Sequence, residues 1–224
     1  MSKITLSLSY YNDFEHLHQH LEQWKAYKDK IEFQIIDDGS KEKLVDKIDI
    51  DLFLELNISI YRINQDIKWN IPGVRNLGAV ACTTKWILFC DMDQYFHERD
   101  INKIINKINT KQIDDNKYYS FSRSGRERTA GTLMMTKDNF WKCGAYDEDL
   151  RGNYGYNDPL LRKQLEAIDV QEETLIDVYC QQFHADCLLD RKGMEKNKRK
   201  MHRKIKKLPK KEIKILDFNW EKSF

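Results

Sequence analysis

The chain has 224 residues, a hydrophobic fraction of 41% and a formal net charge of +2, which suits one domain with a sizeable core, or one domain with an appendage. No segment approaches the ~20 apolar residues that cross a bilayer, and Met1 leads directly into a strand-like segment, so we expect neither a membrane span nor a signal peptide. The five cysteines include no Cys-x-x-Cys spacing, which argues against a disulfide framework or a zinc knuckle and predicts a cytoplasmic location.

The first third of the chain alternates strand and helix patterns. Residues 4–10 alternate apolar and small polar side chains, as a strand does, and Asn12 or Asp13 can then cap a helix of roughly four turns. Strand patterns recur at 31–36 and 58–61, with a short helix predicted over 41–48. This alternation indicates a parallel sheet with helices on its faces. The predicted apolar face of the first helix consists of Phe14, Leu17, Leu21 and Trp24.

The rest of the chain continues the α/β pattern, and we predict a mixed, mainly parallel sheet with helices on both faces in a single domain. The predicted helices begin near Pro72, near residue 98, near Phe140 and at Leu160, and the predicted strands cover 86–90, 117–123, 132–136 and 170–180.

Two carboxylates follow the most apolar of these strands. The segment Trp86–Cys90 is too short for a globular helix, and it ends at Asp91-x-Asp93. Residues two apart on an extended backbone point the same way, so both carboxylates should project from the carboxyl end of a core strand, where open α/β sheets bind ligands. Two hard oxygen donors suit a divalent cation that also binds substrate phosphates. An acidic turn is the alternative interpretation.

Other polar groups stand at comparable positions. Ser9-Tyr10-Tyr11 follows the first strand and Asp37-Asp38 the second, so parallel strands would bring both groups to the edge that carries Asp91. Asn157-Asp158 opens a helix, where a carboxylate is favoured by the helix dipole. Asp158 could equally be only a helix cap, and Asp38-Gly39 only a turn.

Four motifs occur in a specific order. They are Asp38-Gly39-Ser40, Gly73-x-Arg75-Asn76-x-Gly78-Ala79, Asp91-x-Asp93, and the segment from Gly144 to Gly152 followed by Gly155-Tyr156-Asn157-Asp158. In this order they resemble the motifs of GT-A-fold (Rossmann-like) glycosyltransferases of family 2, over roughly residues 4–200. The chain departs from the family in carrying Asn157 where a Glu usually precedes the catalytic Asp.

The resemblance implies a role for each matching residue. Tyr10 or Tyr11 would lie against the nucleobase, Asp38 would accept from the uracil imide, and Arg75 would sit near the base or the diphosphate. Asp91 would approach the ribose or the sugar, and Asp158 would be the general base. The implied metal ligands for Mn²⁺ or Mg²⁺ are Asp93 and His184; Ser9 and Asn76 complete the donor-binding set, and Asp147, Tyr156 and Asn157 form the acceptor-binding set.

The expected reaction is sugar transfer from a nucleotide diphosphate donor, preferably a UDP-sugar, to a hydroxyl of a glycan, glycolipid or glycoprotein. One carboxylate base without a second nucleophile favours inversion. Residues 1–189 would form the catalytic domain, with a donor half over 1–97 and an acceptor half over 98–189. A nucleotidyltransferase is an alternative, although the first strand is followed by no Gly-rich loop. A second alternative is a non-enzymatic module that binds polyanions.

The C-terminal extension, residues 190–224, is strongly basic. Residues 190–214 hold 13 Lys and Arg against 3 Asp and Glu, while the remainder holds 25 against 33. A helix with one apolar stripe is predicted before Pro209, and it could simply be a solvated helix docked on the core. One alternative is contact with an anionic membrane surface, which would make this a peripheral membrane protein. Arg191 and Lys192 could instead close over the donor. Nucleic-acid binding is a third alternative, although no interleaved aromatic residue supports it. The stripe comprises Met194, Met201, Ile205 and Leu208, and we expect Ile213–Trp220 to pack back on the body.

Overall fold

A computed structural model describes residues 4–123, 127–183, 190–209 and 215–224. Over these residues nine strands form one sheet. The strands are β1 (Ile4–Tyr10), β2 (Glu32–Asp37), β3 (Ile58–Ile63), β4 (Trp86–Cys90), β5 (Gln94–Phe96), β6 (Lys117–Ser122), β7 (Leu133–Thr136), β8 (Gln171–Gln182) and β9 (Trp220–Lys222).

Seven α-helices accompany the sheet in the described part of the chain. They are α1 (Phe14–Trp24), α2 (Ile50–Leu56), α3 (Ile71–Ala81), α4 (Glu98–Asn109), α5 (Lys137–Lys142), α6 (Asn157–Glu166) and α7 (Arg191–Ile205). None of the described helices is both long and apolar enough to span a bilayer.

The sheet has the strand order β5-β8-β6-β7-β4-β1-β2-β3-β9. Its centre, β4-β1-β2-β3, is parallel, and β6 and β8 also pair in parallel. Antiparallel pairs join β7 to β4 and close the edges at β5 and β9. The predicted mixed, mainly parallel sheet is confirmed.

Alternate residues of β4 pack into different clusters, because successive side chains on a strand point to opposite faces. Trp86 and Leu88 join the cluster that contains the apolar faces of α1, α2 and α4. Ile87 and Phe89 join the cluster that contains residues of α3, α5 and α6. All five residues of β4 are buried, which explains its continuous apolar run.

The small polar residues of β1 face α3. Ser7 is buried, and a Cβ added at Gly78 would lie 2.4 Å from the Ser7 hydroxyl oxygen. The Gln34 side chain on β2 also donates to the Gly78 carbonyl oxygen at 2.7 Å. The helix therefore approaches the sheet closely, and this close approach requires the Gly78 of the sequence motif.

The C-terminal segments contact the rest of the chain at several places. Helix α7 packs against α6, and β9 pairs with β3 through Ile63 and Trp220. Phe218 is buried in a small cluster with Val74 and Leu77 of α3.

Several element boundaries differ from the prediction. The predicted helix over 41–48 is only a 3₁₀ turn at Leu44–Asp46, and α2, β5 and β9 are absent from the prediction. Helix α1 has 11 residues, and Phe14 at its start is 37% exposed rather than part of the buried face. Leu208 lies beyond the end of α7 at Ile205, so it is not part of the helical stripe.

Candidate functional site

The parallel strands β1, β2 and β4 end side by side. Their last residues are Tyr10, Asp37 and Cys90. The Asp38 amide donates to the Tyr10 carbonyl oxygen at 2.9 Å, which ties the first two ends together. Asp38 and Asp91 therefore emerge at one edge of the sheet, as the sequence predicts.

Asp91 is held by a buried arginine from α3. Arg75 is 1% exposed and forms an ion pair through Nη2 with Asp91, whose side chain is 29% exposed. Its Nη1 donates to the Gly131 carbonyl oxygen at 2.5 Å. A Cβ added at Gly131 would lie 2.6 Å from Asp91 Oδ2, so a side chain there would displace the carboxylate. Burial, opposed by Arg75 and reinforced by the charges of Asp158 and Asp93, raises the pKa of Asp91 to about 6.

The arginine also lies against two aromatic rings, one on β4 and one in the segment Gly144–Asp158, which the family resemblance places on the acceptor side and which we call the acceptor-side motif. Its guanidinium carbon lies 5.3 Å from the centre of the Phe89 ring and 5.7 Å from that of Tyr146. The hydroxyl of Tyr146 donates to Asp158 Oδ1 at 2.8 Å. Burial, reinforced by Asp158, raises the pKa of Tyr146 well above its usual value, so this phenol stays protonated and able to donate. Asp91 and Asp158 are thus linked through Arg75 and Tyr146.

Asp93 lies in the short segment between β4 and β5. Its Oδ2 accepts from the Gln182 side chain at 2.8 Å, and its carbonyl oxygen accepts from the Phe183 amide at 2.8 Å. The buried His20 ring on α1 lies 2.9 Å from the Met92 carbonyl oxygen and supports the same segment. The Asp93 carboxylate is partly exposed.

The residues around Asp93 fit a divalent cation only if the substrate supplies further ligands to it. Within the described ranges, no group of three or more His, Cys, Asp and Glu side chains converges. A cation of the Mg²⁺ type is often held by one or two carboxylates together with substrate phosphates. The partly exposed carboxylate of Asp93 suits that arrangement. His184, the other predicted ligand, lies outside the described residues.

The end of β2 carries a second buried carboxyl group. Asp38 is 8% exposed, and its Oδ1 accepts from the Asn70 side chain at 2.8 Å. Burial raises the pKa of Asp38 to about 8, although the hydrogen bond from Asn70 opposes the shift. Its neighbour Asp37 has a structural role, because it forms an ion pair with Arg62 and accepts a hydrogen bond from the Ser40 amide.

The two tyrosines after β1 have different environments. Tyr10 is 3% exposed and belongs to the main core cluster, whereas Tyr11 is 46% exposed. The Tyr11 hydroxyl donates to Asp66 at 3.1 Å. Tyr11 is therefore the tyrosine with a ring face available to a ligand. Ser9, the remaining predicted residue of β1, is partly exposed.

Asn76 connects α3 to the acceptor-side motif. Its Nδ2 donates to the Tyr146 carbonyl oxygen at 3.0 Å and to the Glu148 carboxylate at 2.8 Å. Its Oδ1 accepts from the Tyr146 amide at 3.0 Å. Asn76 is fully buried, so these contacts hold Tyr146 in place.

Two of the three predicted acceptor-binding residues, Tyr156 and Asn157, lie at the start of α6. Tyr156 precedes the helix with a positive φ of 66°. Asn157 is 6% exposed, and its Oδ1 has no hydrogen-bond partner among the residues that the structure describes. Asp147 is 8% exposed and forms an ion pair with Lys204 of α7 at 2.8 Å. Asp158, by contrast, is partly exposed at the N-terminus of α6.

Among the residues of this site that sequence reasoning missed are Tyr146 and Asn70. Tyr146 lies within the quoted acceptor-side motif, but its pattern gives no sign of a contact with Asp158. Asn70 stands immediately before α3, where an amide usually indicates a helix cap; the structure instead directs this side chain to Asp38.

Comparison with known proteins gives one family match. The family described as glycosyltransferase like family 2 matches residues 5–121, which is more than half of the chain. No curated protein matches the sequence significantly.

Solved structures share the fold at low sequence identity. TarS of S. aureus superposes with a TM-score of 0.70 at 13% identity, covering 91% of this chain and 39% of TarS. A structure of TarS 1-349 in complex with UDP-GlcNAc superposes with a TM-score of 0.69 at 12% identity, covering 89% of this chain and 65% of that one. The mannosyltransferase PcManGT of Pyrobaculum calidifontis, in complex with GDP-Man and Mn²⁺, superposes with a TM-score of 0.66 at 13% identity, covering 84% of this chain and 58% of PcManGT. The chain therefore has the GT-A-like fold, and it spans less than two thirds of the length of these neighbours.

Proposed function

The chain belongs to the glycosyltransferase family 2-like proteins, and on that premise we propose that it transfers a sugar from a nucleotide diphosphate donor, preferably a UDP-sugar, to a hydroxyl of a saccharide-bearing acceptor. The transfer is metal-dependent and inverts the anomeric centre. One observation carries the proposal: Asp158, on the acceptor-side motif, is joined through Tyr146 and Arg75 to Asp91 on the donor side. Residues 1–97 form the donor half in this scheme, residues 98–189 the acceptor half, and residues 190–224 an extension.

The donor nucleoside binds at the ends of β1 and β2. Tyr11 offers an exposed ring for stacking on the base, and Asp38 offers a carboxyl group beside it. The hydrogen bond from Asn70 fixes one oxygen of Asp38 and leaves the other for the base. Binding of UDP-GlcNAc by TarS 1-349 and of GDP-Man by PcManGT supports a nucleotide-sugar ligand for this fold.

The donor diphosphate and sugar lie beside Asp91 and Asp93. Asp93 would hold the divalent cation, and a cation bound there offsets the charge that develops on the departing diphosphate. Arg75 orients Asp91 toward the ribose or the sugar and is itself too buried to contact the donor directly. Gln182 donates to one oxygen of the partly exposed Asp93 carboxylate, and the other oxygen would bind the cation.

Asp158 removes the proton from the acceptor hydroxyl. A hydroxyl is a weak nucleophile at neutral pH and needs a positioned base. The N-terminus of α6 stabilises the negative charge of Asp158, and the Tyr146 hydroxyl orients one of its oxygens. The other oxygen accepts the proton while the acceptor oxygen attacks the anomeric carbon from the side opposite the diphosphate.

Thermal unfolding with nucleotide sugars tests the proposal, because a ligand that binds only the native state raises its stability by mass action. The assay compares UDP-GlcNAc, GDP-mannose and a dTDP-sugar, each with and without Mn²⁺. We expect Mn²⁺-dependent stabilisation that is lost in Asp93→Ala and kept in Asp29→Ala, which removes an exposed carboxylate elsewhere. Unchanged Mn²⁺-dependent stabilisation of Asp93→Ala would contradict the assignment of Asp93.

A further inference from the structure

Helix α7 and the turn that follows it present a continuous row of cations to solvent. Successive residues of an α-helix are separated by 100° around the axis, so four exposed cations of α7 share one side of the helix, and two more lie in the turn after Ile205. We name this row the basic stripe; it consists of Lys192, Lys196, Arg199, Arg203, Lys206 and Lys207.

The opposite face of α7 is fixed to the protein. The buried side chain of Asn197 donates from Nδ2 to the carbonyl oxygens of Leu150, Asn153 and Gly155 at 2.8–2.9 Å. Met201 packs with the residues of α6, and Lys204 pairs with Asp147. The helix therefore cannot roll to bury the basic stripe, and its orientation toward solvent is set by the fold.

Among the described residues, no acidic side chain neutralises the basic stripe. In the part of the chain that the structure describes, none of its six members forms an ion pair. The single carboxylate within α7, Glu195, lies 4.0 Å from Lys198, outside the stripe. Elsewhere on the surface, exposed lysines such as Lys25, Lys43 and Lys85 pair with carboxylates.

This charge arrangement opposes the stability of the helix. Lys192 and Lys196, and likewise Arg199 and Arg203, are four residues apart, and like charges at that spacing repel. A row of cations that form no ion pair with any described residue, on a chain whose remainder is acidic, is better explained by an anionic partner than by folding.

We propose that the basic stripe binds the surface of an anionic lipid bilayer. A cluster of 4–8 Lys and Arg on an amphipathic helix is sufficient for such adsorption, and the basic stripe has six. Four of its six members share one side of α7, which suits a flat partner. It contains no aromatic side chain on which bases could stack, which disfavours single-stranded nucleic acid. It also exposes no large apolar side chain, so binding is electrostatic and sensitive to salt.

Adsorption through the basic stripe would orient the candidate active site. Through Asn197 the same helix fixes the segment from Leu150 to Gly155, which leads directly to Asp158 at the start of α6. If the proposed transferase activity holds, an acceptor carried by a lipid would meet the site at a fixed height above the bilayer. The lipid contact itself does not depend on that activity, and its test below involves no sugar transfer.

Co-sedimentation of the full chain with vesicles tests the proposal. One set of vesicles is pure phosphatidylcholine, and the other contains about one third phosphatidylglycerol, which supplies the negative surface potential. We expect binding to the anionic vesicles at low salt, release at high salt and no binding to the neutral ones. Lys196→Gln/Arg199→Gln/Arg203→Gln should bind about 100-fold more weakly, because each cation near the surface contributes about a factor of five.

The matched control is Lys25→Gln/Lys43→Gln/Lys85→Gln, which removes the same charge from other parts of the surface and should bind within about twofold of the unmodified protein. Circular dichroism verifies that both triple variants are folded. Equal binding of both variants, or no binding of the unmodified protein to anionic vesicles, would overturn the proposal. Tight binding of a duplex or single-stranded oligonucleotide without vesicle binding would likewise overturn it and identify a nucleic-acid partner.

Discussion

Tyr146 is the residue that most directly connects the two carboxylates of the proposed site. Its hydroxyl donates to Asp158, and its ring lies beside the guanidinium of Arg75. Tyr146→Phe keeps the ring and removes only the hydroxyl. Since a hydrogen bond to a charged group contributes about 1.5–3 kcal/mol, we expect kcat for release of UDP from the bound donor to fall roughly 10- to 100-fold. The donor dissociation constant should stay unchanged.

A matched control for this substitution is Tyr27→Phe, which removes another buried hydroxyl, one that donates to the Phe96 carbonyl oxygen at 3.3 Å. Tyr27 lies between α1 and β2, away from Asp158, so kcat should stay near that of the unmodified protein. Equal losses of kcat in the two variants would show that Tyr146 acts through stability alone. A weaker donor affinity with unchanged kcat would contradict its role in positioning the base.

The ion pair of Arg75 and Asp91 predicts a non-additive effect on stability. Removal of one partner leaves the other charge uncompensated in a largely buried site. We expect Arg75→Met to lower the free energy of unfolding by about 3 kcal/mol, and the double variant Arg75→Met/Asp91→Asn to be more stable than Arg75→Met. Urea unfolding of the two single variants and the double variant measures this coupling. Strictly additive losses would contradict the pairing.

His20 predicts a specific dependence of stability on pH. Burial lowers the pKa of His20 to about 4, although its hydrogen bond with Met92 opposes the shift. Between pH 6.5 and 4 the unfolded chain therefore binds a proton that the native protein excludes, so stability falls as the pH falls through this window. The loss reaches about 3 kcal/mol at pH 4.

Urea unfolding at several pH values between 4 and 7 checks this prediction. His20→Gln should reduce the slope of unfolding free energy against pH in this window, whatever its effect at pH 7. His18→Gln replaces an exposed histidine on the same helix and should retain the slope. A steep slope that persists in His20→Gln would assign the acid sensitivity to other groups.

At the scale of elements, the sequence predicts best where one periodic pattern dominates. The observed range of β1 matches the predicted one because β1 alternates strictly, and α4 begins where predicted because it has a single apolar face. The strands β5 and β9 have only three residues each and exist through pairing with β8 and β3. Such pairing depends on distant residues, so no local pattern indicates it.

The docking of α7 depends on the buried side-chain amide of Asn197, so its removal should lower the stability of the protein. Asn197→Ala removes the donor for three carbonyl oxygens, those of Leu150, Asn153 and Gly155. Because buried acceptors would lose their partner, we expect the free energy of unfolding to fall by about 2 kcal/mol. Hydrogen exchange should show faster exchange in α7 and in the segment before α6. Glu195→Ala, on the exposed side of α7, should change stability by less than about 0.5 kcal/mol.

Exchange rates in α7 that stay the same in Asn197→Ala would contradict this role of the amide.

The sequence indicates a helix here through Met194 and Met201, and the apolar stripe explains part of its packing. Asn197 lies among charged residues and carries no signal that it is fully buried. The partner carbonyl groups belong to a loop more than forty positions earlier in the chain.

For the whole molecule, the sequence predicts which residues gather at the sheet edge better than how they are connected. The sequence predicts Asp38, Asp91 and Asp158 as site residues from their positions at strand ends or at a helix start and from the family motifs. The links between them depend on tertiary packing, as Asn70 with Asp38 and Tyr146 with Asp158 illustrate. Asp147, predicted to bind the acceptor, pairs with Lys204 of α7, a contact that only the docked extension creates.

The central claim is that Asp158 is the base of a sugar transfer whose donor binds elsewhere in the same site. It is tested by the rate at which UDP is released from the UDP-sugar that most stabilises the protein, in Asp158→Asn and in the unmodified chain. General base catalysis contributes about 10²–10⁴-fold, so we predict a loss in that range with the donor-induced thermal stabilisation unchanged. Full activity of Asp158→Asn would contradict the claim.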